Sequence, residues 1–162
     1  MLLEQINSFM REALIEGRKA RRYCSPNPPV GCVLVQNRRV VARGHTQSPG
    51  KEHAEAMALK QLPADAKGIV AFVTLEPCSF HGRTPSCAKA LVERGIEEVY
   101  VGVIDPDARN SGKGIEILRQ AGIKVTLGIA SEAVAEDLDP FLAKTSETCR
   151  TKTQAMNLKL QC

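Results

Sequence analysis

Tryptophan is absent from the 162 residues, and two tyrosines and four phenylalanines make up the whole aromatic complement, 4% of the chain. A surface that stacks unpaired bases needs aromatic rings and a basic channel, so action on nucleic acid ranks last among the chemistries considered below. With so few rings, the core is expected to consist of Val, Ile, Leu and Ala. A dominant charge is also lacking: 22 Lys and Arg stand against 18 Asp and Glu, a net +4. This mild excess suits a phosphate-bearing ligand and is too dispersed to argue for nucleic acid by itself. The densest basic run, Arg18-Lys19-Ala20-Arg21-Arg22, reads as a solvated helix end with cations near its C-terminus. No apolar run approaches the ~20 residues that span a bilayer. Met1-Leu2-Leu3-Glu4 lacks the charged and apolar regions of a signal peptide. The expected location is therefore the cytoplasm, with no membrane partner. Disulfides are rare there, so the six cysteines point instead to metal or catalytic roles.

What is present is ordinary globular material, 43% hydrophobic and 25% charged, in a length that suits one domain. Leu3, Ile6, Phe9, Met10, Ala13 and Leu14 recur with a helical period over 2–20. Tyr23 to Pro29 is a Pro-rich loop. Val30–Val35 and Val40–Ala42 read as strands joined in a hairpin through Asn37-Arg38-Arg39. Further helices are predicted at 53–62, 85–94 and 112–121, and one opening at Ser131. The second and third of these are closed by Gly95 and Gly122. Further strands are predicted at 69–75, 99–104 and 125–129. The order α-β-β-α-β-α-β-α-β-α implies parallel pairing apart from the opening hairpin. The expected architecture is a three-layer α/β/α domain over 1–145, with a five-stranded mixed sheet. Residues 146–162 read as a polar tail or linker.

Chemistry concentrates at three points. His53-Ala54-Glu55 opens a helix, and Cys78 and Cys87 bracket a loop leading into another. One imidazole and two thiolates suit zinc and leave a fourth tetrahedral position for water, the catalytic arrangement. Helix N-termini favour thiolate over thiol. Glu55 is placed to take a proton from the activated water and deliver it to a leaving amine. His-x-Glu followed by Pro-Cys is shared with the zinc-deaminase signature His-x-Glu, Pro-Cys-x-x-Cys, but here eight residues, not two, separate Cys78 from Cys87. Taken singly, His-x-Glu means little and either cysteine could be an inert core thiol; taken together at loop-to-helix junctions they favour a metal site. Cys32 reads as core, and Cys24, Cys149 and Cys162 receive no role.

Ser25-Pro26-Asn27-Pro28-Pro29-Val30-Gly31, His53-Ala54-Glu55, Thr74-Leu75-Glu76-Pro77-Cys78-Ser79, Gly82-Arg83-Thr84-Pro85-Ser86-Cys87 and Asp105-Pro106 occur in that order. Over about Phe9 to Phe141 the chain resembles the deaminase domain of the bacterial riboflavin-biosynthesis deaminase/reductase. The resemblance implies a cytidine-deaminase-like fold and a zinc cofactor. It implies hydrolytic deamination of 2,5-diamino-6-ribosylamino-4(3H)-pyrimidinone 5′-phosphate, with Glu55 as the proton carrier. It further implies substrate contacts at Asn27, His45, Ala54, His81, Arg83 and Asp105, Arg83 facing the phosphate and Asp105 a ribose-side hydroxyl. A homodimer or larger assembly is expected on the same ground.

Two positions depart from the family pattern. Phe80 stands where the family has histidine, with His81 following, and Gly44-His45-Thr46-Gln47 replaces glycine, aromatic, histidine. The alternative reading is therefore a deaminase of another aminopyrimidine, nucleobase or nucleoside in a specialised pathway. From a different class, a catalytically silent zinc module is disfavoured by Glu55, since a structural site needs no proton shuttle. Met156-Asn157-Leu158-Lys159-Leu160 looks like the opening strand of the family's reductase domain, so freestanding enzyme and fragment both stay open.

Overall fold

The computed structural model describes residues 1–82 and 84–142. Arg83 and the tail at 146–162, with Cys149, Cys162 and the strand-like 156–160, lie outside the described residues. Helix α1 spans Leu3–Arg18 and ends in a 3₁₀ turn over Lys19–Arg22. Strands β1 (Gly31–Gln36) and β2 (Arg39–His45) form the hairpin, followed by α2 (Ala54–Leu59), β3 (Ile69–Leu75) and α3 (Cys87–Glu93). Then come β4 (Glu98–Val103), α4 (Lys113–Gln120) and β5 (Lys124–Leu127). A last helix, α5, occupies 131–142. The hairpin turn is two residues tight: Asn37 and Arg38 both take positive φ, 51° and 61°. That is the conformation whose twist suits a hairpin, and Asn tolerates it well.

The sheet order is β2-β1-β3-β4-β5. β3, β4 and β5 are parallel, but β1 runs antiparallel to both β2 and β3. The expected mixed sheet forms, with β1 inserted between two strands that share a direction. Helix α2 makes the crossover over it. Two apolar layers fill the faces. Ala54, Ala58, Ala88, Leu91 and Leu118 from α2, α3 and α4 cover Cys32, Leu34, Ala71, Val73 and Val101. Met10, Ala13 and Leu14 of α1 and Val134 and Leu138 of α5 cover Val33, Val35, Phe72 and Tyr100. The few rings are spent here, with Phe72 stacked on Tyr100 at 4.7 Å and tilted against Phe9 at 5.3 Å.

The basic run is not merely solvated. Arg18 and Arg21 each reach Asp137 of α5 at 2.6 Å and pin the two helices of this layer together. On the opposite layer, α2 lies hard against β2. A Cβ added to Gly44 would stand 2.0 Å from the Ala54 carbonyl oxygen and 2.7 Å from the Ala58 nitrogen. Glycine inside a strand marks this sort of close backbone approach. Gly44 therefore sets the depth at which the first turn of α2 sits. Gly44→Ala is expected to cost about 1–3 kcal/mol, the usual penalty for overpacking. The measurement is a urea midpoint that falls at unchanged slope; an unmoved midpoint would show that the strand and helix are not in contact.

Candidate metal centre and active site

Parallel strands present their C-terminal ends along one edge of the sheet, where loops rather than ladders meet. The segments that follow β2, β3 and β4 all emerge there, and β1, being antiparallel, begins there. The backbone N–H of Gly31 donates to Thr74 Oγ1 at 3.0 Å, fastening the start of β1 to the end of β3. Thr46 Oγ1 accepts from the Val30 N–H at 3.0 Å and donates to the Pro28 carbonyl at 2.9 Å. The Pro-rich loop is thus tied to the end of β2, and Asn27, Pro28 and Val30 are turned into the wall of a pocket.

His53 is the N-cap residue of α2, in extended conformation. Cys87 is the first residue of α3, and its N-cap Ser86 donates to the Cys78 carbonyl at 2.8 Å while accepting from the Lys89 N–H at 3.3 Å. The cap thereby locks the loop after β3 to the helix that carries the second thiol. The metal-ligating atoms of His53, Cys78 and Cys87 all lie within 4.8 Å of one another. His53 Nδ1 stands 3.3 Å from Cys87 Sγ and 3.7 Å from Cys78 Sγ. Its Nε2 stands 3.4 Å from Thr84 Oγ1. With Nδ1 as the ligating nitrogen, Nε2–H donates to the threonine and fixes the ring, the usual outer-sphere arrangement. The Cys87 N–H donates to Cys78 Sγ at 3.2 Å. A nitrogen and two sulfurs, one of them receiving a backbone N–H, form a fitting donor set for zinc.

The three donors share protons unequally. The hydrogen bond from Cys87, helped by His53, pulls the Cys78 thiol down to about 4, so it is a thiolate. Sharing that proton, together with burial, pushes Cys87 up. The hydrogen bond to Cys78 raises His53 against the opposing effect of burial. Glu55, only 3% exposed, is pushed up to about 7, first by burial and then by the Cys78 charge.

His53, Glu55 and Cys78 share the pocket with Asn27, Thr46, Glu76, Phe80, Asp105, Asp107 and Arg109. Of the residues singled out in the sequence, Asn27 and Asp105 line it. Ala54 is fully buried beneath it. His45 turns away, its Nδ1 bonded to Glu16 Oε1 at 2.7 Å and its ring 6.3 Å from that of Tyr23. His81 is exposed, with Nδ1 3.1 Å from the Gly82 carbonyl. Cys24 and Cys32 are buried in the core.

Sequence reasoning passed over Glu76, whose buried carboxylate accepts four backbone N–H groups. Oε2 takes those of Asp105 at 3.1 Å and Gly112 at 3.0 Å; Oε1 takes those of Gly114 at 3.0 Å and Ile115 at 3.4 Å. It also passed over Asn110, fully buried, which accepts from the Ser79 N–H at 2.9 Å and donates to Asp105 Oδ2 at 3.2 Å. Burial raises the Asp105 carboxyl above its ordinary value, against the hydrogen bonds it accepts. The one available signal for Glu76 was its place between β3 and Pro77-Cys78: an acid in a loop directly before a metal ligand.

The profile of the cytidine and deoxycytidylate deaminase zinc-binding region matches residues 3–103. The chain belongs to this deaminase family. Among its relatives, the riboflavin biosynthesis protein RibD of Aquifex aeolicus is 44% identical over 141 residues, which are 87% of this chain and 40% of that protein. The diaminohydroxyphosphoribosylamino-pyrimidine deaminase of Buchnera aphidicola is 41% identical over 124 residues, 76% of this chain and 84% of that one. The structure of Acinetobacter baumannii RibD superposes with a TM-score of 0.84 at 40% identity, covering 87% of this chain and 40% of that one. The chain thus spans about 40% of the length of the RibD relatives it matches. The cytidine-deaminase-like fold and the zinc cofactor expected from the sequence hold for this member of the deaminase family. Among the described residues, no helix is long and apolar enough to cross a membrane.

Zinc is expected to co-purify at one ion per chain, measurable by elemental analysis of protein made without added metal. Cys78→Ser or Cys87→Ser should strip most of it, because each removes one of three ligands. Full retention in both variants would sink the assignment.

Proposed function

We propose that this chain removes ammonia hydrolytically from 2,5-diamino-6-ribosylamino-4(3H)-pyrimidinone 5′-phosphate, a step of riboflavin biosynthesis. The carrying observation is that Glu55 lines one pocket with the ligands His53 and Cys78, beside Cys87, in a chain 41% identical to a protein named for this deamination, of which it covers 84%. The proposed catalytic unit is 1–145, acting in the cytoplasm as a homo-oligomer, with 146–162 as a linker. His53, Cys78 and Cys87 would hold the zinc, which would activate the water that attacks the ring carbon bearing the amine.

The chain's own residues do the rest. Buried Glu55 takes the proton from the attacking water at a carboxylate oxygen. It gives that proton to the ring nitrogen beside the reacting carbon. It then carries the second water proton to the amine, so the amine leaves as NH₃ and a carbonyl remains. A carboxylate held near 7 by burial is matched to both halves of this shuttle. Thr84 orients His53. Asn27, with one donor and one acceptor, meets the pyrimidine or a sugar hydroxyl, and Asp105, fixed by Asn110 and Glu76, accepts from the ribose. Arg83 is assigned to the phosphate; His45, Ala54 and His81, expected from the sequence as contacts, do not line the pocket and receive no role here.

A second reading, another aminopyrimidine as substrate, draws on Phe80 in the pocket wall where the family pattern has histidine. Ammonia release across a panel of phosphorylated and unphosphorylated aminopyrimidines and cytidine nucleotides decides between them. The favoured reading requires the phosphorylated ribosylaminopyrimidine to give the highest kcat/KM. Glu55→Gln should keep zinc and fold while turnover falls ~10²–10⁴-fold, as for loss of a general acid–base. A near-normal rate would assign the proton to another group.

A further inference from the structure

The pocket runs from a buried floor to an exposed mouth, and the mouth carries a cation that the shuttle does not use. Arg109 lines the pocket, yet its side chain is 70% exposed. Its guanidinium lies over the Phe80 ring, 5.0 Å from the centroid. Asp107 grips it from the side: Nε donates to Oδ1 at 3.0 Å and Oδ2 at 3.1 Å, and Nη2 to Oδ2 at 2.5 Å. The Arg109 N–H also donates to Asp107 Oδ1, at 3.0 Å. Among the described residues that line the pocket, Arg109 is the only arginine or lysine, against the carboxylates of Glu55, Glu76, Asp105 and Asp107.

We propose that Arg109, seated on Phe80 and oriented by Asp107, is a specificity-determining residue that receives the anionic end of the substrate at the pocket mouth. The inference rests on the reading of the chain as a deaminase of a phosphorylated aminopyrimidine, and deepens it. At the mouth, where Asp105 and Asp107 lie, a phosphate gains from a guanidinium beside those carboxylates, in addition to the contact assigned to Arg83. A guanidinium offers the planar fork that phosphate oxygens match. Its seat on an aromatic face and its grip by a carboxylate order the long side chain beforehand, so less rotamer freedom is lost on binding. Depth agrees: a ring reacting at Glu55 on the floor directs its ribosyl phosphate outward. Phe80 provides the shelf for the cation.

The test uses the zinc-loaded full chain as wild type, Arg109→Gln and Arg109→Lys, with ribose 5-phosphate titrated at low salt. Arg109→Gln should weaken binding about tenfold, a charge-assisted contact discounted for exposure. Arg109→Lys should restore part of it, and rising salt should shrink the difference. In turnover, the preference for the phosphorylated over the dephosphorylated aminopyrimidine should fall by a similar factor, through KM. Equal affinity of wild type and Arg109→Gln for ribose 5-phosphate, or no binding by either, overturns the proposal whatever the substrate proves to be. Equal losses on both substrates assign Arg109 to bracing its loop and also overturn it. A wild type that deaminates no ribosylaminopyrimidine, yet binds ribose 5-phosphate through Arg109, upholds the anion site and refutes the substrate assignment.

Discussion

The buried carboxylate of Glu76 is the joint on which the site turns. It sits between β3 and the loop that carries Cys78. Its two oxygens collect backbone N–H groups from the end of the β4 segment and from the first turn of α4. An ionised group without water is costly unless hydrogen bonds replace its hydration, and four backbone donors, two of them within a helix start, do so. One side chain thereby fixes three things to each other: the metal loop, the 105–111 loop and α4. The approach is close enough that a Cβ on Gly114 would stand 1.9 Å from the Pro77 carbonyl oxygen. Asn110 repeats the device one layer outward, clasping Ser79 and Asp105.

The floor and the mouth of the pocket are built on different principles. His53, Glu55 and Cys87 stand at helix starts laid on the sheet, and Cys78 in the loop that follows β3, with apolar packing behind them. Asp105, Asp107 and Arg109 belong to a loop whose shape comes from its own side chains bonding to its own backbone, as in Asp105 accepting the Asp107 N–H at 2.9 Å. Such loops vary without disturbing the scaffold beneath.

Much of this was legible beforehand. Alternation of apolar runs with glycine stops gave every element in order, since period and punctuation are local signals. His53, Cys78 and Cys87 were legible because few other chemistries need those residue types at those junctions. The antiparallel placement of β1 beside β3 was not, because which strand a hairpin docks against depends on contacts far apart in sequence. For the same reason Arg18 and Arg21 looked like solvated charges until Asp137, more than a hundred residues on, was found between them. Helices came out shorter than the periodicity suggested. His53 and Ser86 serve as caps, and a cap shares the pattern of the helix it precedes without its dihedral angles.

The ligand trio is drawn from three separated segments, at positions 53, 78 and 87, each leaving a different strand or entering a different helix. No segment holds the ion alone, and the unfolded chain cannot gather all three donors at native spacing without losing the entropy of closing the loops between them. An ion that binds the folded form so much better than the unfolded one adds to its stability by mass action. Metal supply therefore enters the folding free energy of this chain: scarcity of zinc would be felt as some loss of stability of the whole molecule, and not only as an idle pocket.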